Sequence, residues 1–347
     1  MSDIFAAKTK EEIQQNINNT IKELNPNISI IEGTFKRDLV NANSVEFEKA
    51  YTEIDLLKDA SFAATSWGDY LTQKCADYGV DRKLAQYAHG KVTFKGTPRA
   101  YIPAKTLVQS TNGLQFYTLV DTAIGDNGEI EADIKAQNTG SIYNVEQNTI
   151  TIIPMSVGGV NSVTNKEAIN NGYDTETDDA LYTRYYNKMR YPATSGNKYH
   201  YSQWATSVNG VGGCVVYPLK HGAGTVEVSI VNSNGEQAAE DLIETVQKYI
   251  DSVKPIGATI TVVTPELKEI TIKLVNAVDG DIELFKTNVQ EYFKKQGFTL
   301  TKVSKAQIGK LLLNSNYSDY DDILLNDSDS VILDGKLPKL KEVTTNG

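Results

Sequence analysis

Cysteine is almost missing from this chain: Cys75 and Cys214 are the only two in 347 residues. They lie far apart and match neither a metal spacing nor a redox pair, so both read as buried free thiols. Histidine is as scarce, and His89, His200 and His221 stand isolated, with no His-x-x-x-His and no neighbouring glutamate pattern. A zinc hydrolase therefore has little sequence support, and only convergence of the three in space would supply one. There is no G-K-[ST] and no G-x-S-x-G, and the G-x-G at Gly222 and Gly224 in "KHGAGTV" lacks a third glycine and opens no helix, so neither a phosphate cradle nor a serine elbow has sequence support, and a serine nucleophile without its elbow would leave no mark. No apolar run approaches the ~20 residues of a membrane helix. The start, "MSDIFAAKTKEEIQQ", lacks the basic end and apolar centre of a secretion signal. Synthesis in, and solubility in, a reducing compartment is the expectation, with no membrane partner. Basic clusters are missing as well. With 44 acidic against 34 basic residues the formal charge is −10, and "FKKQG" and "LPKLKE" are small and flanked by acids. Nucleic acid is not an expected partner, because phosphate backbones need a positive face.

What is present is tyrosine, 19 copies of a flat apolar ring with a polar tip that suits half-buried contacts. A chain of this length predicts more than one domain. Region 1–85 reads as helices. Ile13, Ile17, Ile21 and Leu24 form a stripe that Asn25-Pro26 stops, and Phe47, Tyr51, Ile54 and Leu57 form a second. "WGDYLTQKCADYGV" gives a third, with Leu71, Cys75 and Tyr78 on one face and Gly79 ending it. These faces are narrow, like bundle seams. Ile13, Ile17, Ile21, Phe47, Tyr51 and Ile54 are thus candidate interface residues.

Region 86–165 changes to alternation: "GKVTFKGT", "GLQFYTLVDT", "GEIEADIKAQ" and "NTITIIP", punctuated by turns at Gly96-Thr97-Pro98, Thr111-Asn112-Gly113 and Asp126-Asn127-Gly128. It predicts a small antiparallel β domain. Region 166–212 reads as a helical segment. Region 213–267 reads strand, strand, helix, strand, with Ala239, Leu242, Ile243, Val246, Ile250 and Val253 on the helix's covered face. Region 268–347 predicts a strand, a helix with Leu284, Phe285, Val289, Tyr292 and Phe293 inward, and a shorter helix opened by a Ser304-x-x-Gln307 capping box. A hairpin is expected at the end of the chain. The fold class is α+β and multidomain: N-terminal helices, a small antiparallel β domain, a helical linker and C-terminal α+β domains of the split-βαβ kind.

"DTETDDALYTRYY" sets Asp174, Glu176, Asp178 and Asp179 before a helix carrying Leu181, Tyr185 and Met189. Acids in a first turn meet the positive end of the helix dipole, and Thr177 or Asp174 can cap it. The spacing is not that of a calcium loop. "SDYDDILLNDSDSVILD" is acid-rich too, and weak calcium binding there stays open. Trp204, beside Tyr199 and Tyr201, fits either an aromatic seam or a sugar platform; Trp67 reads as helix packing. No cofactor is implied.

The stretch Gly158 to Gly213, "GGVNSVTNKEAINNGYDTETDDALYTRYYNKMRYPATSGNKYHYSQWATSVNGVGG", resembles the baseplate J-like family, and "VVYPLKHGAGTVEVSIVNSNG" continues the match. These are wedge proteins of contractile phage tails and of the bacteriocins derived from them. Upstream, "LTQKCADYGVDRKLAQYAHGKVTFKGT" is similar to the family's entry into its β domain. One departure is Lys105, where a glycine is usual. With "LPKLKEV" near the end, the resemblance spans nearly the whole chain.

The resemblance implies a structural protein without catalysis or cofactor. It implies an inner ring around a central hub, two copies of the chain pairing with a second wedge protein, and contact with hub and sheath-initiator proteins. Such a part is made in the bacterial cytoplasm and ends in the extracellular particle. Occupying two non-equivalent places requires hinges, and Gly158, Gly159, Gly210, Gly212 and Gly213 are the candidates. The alternatives are a carbohydrate-binding tail adhesin and, more remotely, a peptidoglycan hydrolase built on an acidic pair.

Overall fold

A computed structural model describes residues 7–28, 31, 33–191 and 193–346. The first six residues, which include part of the segment read as lacking a secretion signal, lie outside the described residues. The chain divides into two compact units, Met1–Arg82 with Thr177–Tyr185, and Lys83–Glu176 with Tyr186–Gly347.

The first unit is helical. Helix α1 (Lys10–Leu24) opens on a full capping box, with Thr9 accepting from the Glu12 N–H and the Glu12 side chain answering to the Thr9 N–H. Thr34 caps α2 (Phe35–Ser61). Helix α3 (Gly68–Ala76) has no side-chain cap of its own from Trp67. The Gly68 N–H instead donates to Asp178, the first residue of α4 (Asp178–Arg190), at 2.9 Å. The small core here is Leu71, Cys75, Val80 and Leu181, with Ala63, Tyr182 and Tyr185 packed on it.

The second unit carries three cores in chain order. The strands β1 (Tyr87–Gly96), β2 (Tyr101–Ile102), β3 (Leu107–Ser110), β4 (Gln115–Thr118), β5 (Thr122–Ala123), β6 (Glu129–Thr139), β7 (Ile150–Ile152) and β8 (Val160–Thr164) form the β domain. Six of them make an antiparallel sheet ordered β7-β3-β4-β6-β1-β8, and β2 pairs with β5. Alternation puts Val92, Phe94, Val108, Phe116, Ile134 and Ile150 into one closed interior. Lys105 adopts φ +64, the left-handed conformation that a glycine takes without cost. The turn is therefore the glycine-type turn, held here by a lysine.

Lys166–Thr177 is not helical, contrary to the reading of helix from residue 166. It runs extended, bridging Val145 through Ile169 and Gln86 through Tyr173. After it come α5 (Lys198–Ser207), β9 (Val211–Pro218), β10 (Thr225–Asn232), α6 (Glu240–Val253) and β11 (Thr259–Val263). β10 pairs antiparallel with β9 and parallel with β11, so β10–α6–β11 is a βαβ unit. Leu242, Val246 and Ile250 of α6 close the core over Val228 and Ile230.

The final lobe contains β12 (Leu267–Val275), α7 (Ile282–Gln296), β13 (Lys302–Ser304), α8 (Lys305–Leu313), β14 (Asp322–Leu325), β15 (Ser330–Ile332) and β16 (Leu337–Asn346). The expected terminal hairpin is absent. β14 and β16 lie on opposite sides of β12, antiparallel and parallel to it, and β15 pairs with β13. A lone β12 bearing the buried Ile270, Ile272 and Leu274 has two edges to satisfy, and it recruits both late strands. The capping box at α8 is also absent: Ser304 is the N-cap but its side chain makes no capping bond, and its backbone pairs with Ser330.

Candidate interaction surface

Helix α1 lies antiparallel on the first half of α2. The Lys10 N–H donates to Glu48 at 2.8 Å, Gln14 donates to Asn41 at 2.9 Å, and Lys8 sits 5.3 Å over the Tyr51 ring. Within these two helices only Ile13, Val40 and Ser44 are buried. Ile17, Ile21 and Tyr51 are half-buried along the same seam, whereas Phe47 and Ile54 are exposed. The seam is unfinished in polar terms too, because Asn18 Oδ1 and Arg37 Nε are shut from solvent with no hydrogen-bond partner.

Length decides how much of α2 is left over. At 1.5 Å per residue α2 spans about 40 Å and α1 about 22 Å. The last turns of α2 therefore have no cover from α1. On a 100° helical projection Leu39 and Leu57 point the same way, with Ala50, Ile54 and Phe47 within about 80° of them, and the buried Val40 and Ser44 beyond. The exposed members are large: Leu57 is 64% exposed and Phe35, at the helix start, 80%. The apolar face of α2 is therefore wider than the part that α1 covers.

The candidate hinge glycines have distinct surroundings. Around Gly158 there is open space. Gly159 (φ +79) would bring a Cβ within 2.7 Å of Ala100, and Gly210 (φ +92) within 2.8 Å of the Tyr173 ring. Gly212 stands at a bulge of β9, where a Cβ would strike the Asn232 carbonyl oxygen, and Gly213 pairs with Val231 below Phe298. Close approach is reason enough for glycine at four of the five positions.

The acidic run is dispersed over separate structural tasks. Asp174 accepts from the Ser141 N–H at 3.0 Å, Glu176 from the Lys83 N–H at 3.1 Å, and Thr177 caps α4 at Ala180. Asp178 takes Gly68 N–H and Arg82, at 2.6 Å, and those two bonds hold its carboxyl below the usual range. In the C-terminal run, Asp322 and Asp329 both hold Lys305, at 2.8 and 3.0 Å, and these bonds, that from Asp322 foremost, push the ammonium up to about 12. Among the described residues no group of three or more His, Cys, Asp or Glu is placed to hold a metal ion. His89 lies 3.5 Å from Asp241, His200 stacks 3.8 Å from Trp204, and His221 bonds Glu227, so the histidines serve three different places. Trp204 also meets buried Tyr201 edge-on at 5.2 Å, which makes it part of an aromatic seam. Cys214 keeps part of its surface exposed, yet burial of the thiol pushes it up to about 12, against a hydrogen bond with Ser202.

One cluster escaped the sequence reading. Glu227 on β10 is 5% exposed and receives Lys220 and, at 2.8 Å, His221 Nε2. Burial pushes its carboxyl up, but the bonds from Lys220 and His221 outweigh that and hold it low. The signal was one charged residue inside the otherwise apolar-compatible strand "TVEVSIV".

The chain matches the Baseplate J-like protein barrel domain over residues 91–172 and the Baseplate J-like central domain over residues 193–264. It is 30% identical to "Uncharacterized protein YqbT" and 29% identical to "Phage-like element PBSX protein XkdT", both of Bacillus subtilis (strain 168), each comparison covering 98% of both chains. It is 30% identical to "Baseplate protein gp47" of Escherichia phage Mu over 61% of this chain and 62% of that one. Among the described residues no helix is long and apolar enough to cross a membrane.

Proposed function

From the premise that this chain belongs to the baseplate J-like family and is a structural component of a phage-type tail baseplate, we propose that it acts as a wedge. In this reading copies form an inner ring around the hub of a contractile phage or bacteriocin tail. Receptor engagement at the periphery rearranges wedge contacts, and the ring releases the sheath. Its partners are a second copy of itself, a second wedge protein, the sheath initiator and the hub. Assembly takes place in the bacterial cytoplasm. The role is mechanical, without catalysis or cofactor, and involves neither nucleic acid nor membrane.

The observation that carries it is the half-covered α1–α2 hairpin. Two helices with three buried residues between them do not hold a fixed geometry alone, since most helical stability comes from packing of the apolar face. A partner helix on Phe47, Ile54 and Leu57, continuing the seam begun by Ile13, Ile17, Ile21 and Tyr51, completes a bundle. A ring with two non-equivalent places is a bistable assembly, in which small interface shifts select between packings. Gly158 and Gly159, with Gly210, Gly212 and Gly213, are the joints in this reading; a side chain would be blocked at the last four by Ala100, Tyr173, Asn232 and Phe298, which keeps those positions glycine.

The test is co-expression of the full chain with the other baseplate genes of its particle, followed by light scattering and electron microscopy. The parent should enter a hetero-complex, and a Leu39→Ser/Ile54→Ser/Leu57→Ser variant should stay outside it while remaining folded. Particles that incorporate the triple variant normally would sink the reading.

A further inference from the structure

The last two lobes of the second unit keep separate cores. One is built on Val228, Ile230, Val246 and Ile250, the other on Ile270, Ile272, Phe285 and Val289. The joint between them rests on three glycines, one of them against backbone. Gly235 (φ +76) lies so close to α7 that a Cβ there would land on the Lys294 carbonyl oxygen. A Cβ on Gly213 would sit 3.1 Å from the Phe298 ring, and one on Gly335 2.9 Å from the Tyr217 hydroxyl. One exposed ion pair, Lys294 to Glu236 at 2.8 Å, crosses the same gap. The connecting segment is pinned on both sides, with the Ala238 N–H on the Thr264 hydroxyl at 2.9 Å and the Leu337 N–H on the Glu266 carbonyl at 2.8 Å. Beside these contacts an open cleft of about 410 Å³ is lined by Gly212, Gly213, Val231, Asn232, Lys294 and Phe298.

We propose that the C-terminal lobe, 267–346, rocks on the βαβ lobe about the Gly235–Lys294 contact, opening and closing this cleft with the Lys294–Glu236 pair as latch. Interlocked side chains make an interface rigid, because knobs must be withdrawn before anything slides. At the Gly235–Lys294 pivot glycine meets backbone and there is no knob to withdraw, and the Phe298 ring and the Tyr217 hydroxyl face Gly213 and Gly335. The latch is a solvent-exposed pair and is worth little. Closing the cleft covers the half-buried Phe298 ring, so the closed position has an apolar gain that offsets the loss of the latch geometry. The proposal deepens the wedge reading, since it gives one chain two shapes, but it concerns the isolated protein and is measured there.

Spin labels at Glu244→Cys on α6 and Glu283→Cys on α7, in the full chain carrying Cys214→Ser, report the lobe separation by pulsed electron–electron resonance. The fully buried Cys75 stays unlabelled. The parent should show two resolved distances. Lys294→Met should raise the weight of the minor one about threefold, the factor an ordinary surface ion pair is worth. Gly235→Ala should displace the main distance, whereas Gly257→Ala should not, because Gly257 has the same left-handed backbone (φ +87) with nothing within 4 Å of its Cβ position. A single narrow distance in the parent, or distances unmoved by both K294M and G235A, overturns the proposal. That outcome leaves the wedge reading standing, and a failed assembly test leaves the rocking joint standing.

Discussion

The β domain and the α1–α2 hairpin both carry many apolar residues and reach opposite ends. The β domain closes on itself: Phe94, Val108, Phe116, Ile134 and Ile150 have no solvent exposure at all. The hairpin leaves Phe35, Phe47 and Leu57 in water while burying Ile13 and Val40. Period-2 alternation on a curled sheet gives every inward side chain a facing partner. A helix pair offers one seam, and any apolar stripe wider than that seam waits for a third element. A large apolar residue thus reports on stability in the first region and on assembly in the second.

The strongest way to break this contrast is to cut each region equally. Phe94→Ala should destabilise the isolated protein by about 3–5 kcal/mol, through lost burial and the cavity left behind. Phe47→Ala should cost less than about 1 kcal/mol in the same urea titration while blocking co-assembly. Equal losses in the urea titration would erase the distinction.

A smaller effect separates the packed part of the first unit from its hairpin. Asp178 holds the start of α3 through Gly68 N–H and Arg82, bonds that depress its carboxyl in the folded state. A depressed carboxylate contributes stability above its unfolded value, near pH 4, and that contribution is lost as pH falls through the folded value. Asp178→Asn should cost about 1 kcal/mol at neutral pH, a figure discounted because the side chain is 41% exposed, and should flatten the acid limb of the stability profile. An unchanged acid limb would remove Asp178 from the account.

The smallest effect sharpens the β side. Lys105 at φ +64 occupies a turn suited to glycine. Lys105→Gly should shift stability by no more than about 1 kcal/mol in either direction, and Lys105→Val should lower it by about 1–2 kcal/mol, since a β-branched residue is the worst fit to that backbone. Thermal melts of the two variants against the parent distinguish a glycine-type turn from an ordinary one.

Much of the local structure was legible before any coordinates. Helices α1, α2, α6 and α7 are legible because helical period and stop signals are local, although Leu24, Val253 and Leu284, expected on their covered faces, are exposed; the strands of the β domain are legible because alternation is local too. The resemblance carried the family. The misreadings share a cause: the terminal hairpin, the Ser304 cap and helix from residue 166 were each inferred from neighbours in sequence, and each was overruled by a partner far along the chain. Glu227 was passed over for the same reason, since its burial depends on where Lys220 and His221 fold back.

Residue order was enough to say, for most segments, whether they are helix or strand and which side is apolar, because those properties are written within a few turns or pleats. Which edge of β12 each late strand takes, which of two equally apolar stripes ends covered, and where glycine permits two backbones to touch are matters of three-dimensional competition for surface. Free energies of burial and close approach depend on what arrives from distant parts of the chain, and local spacing carries no record of it.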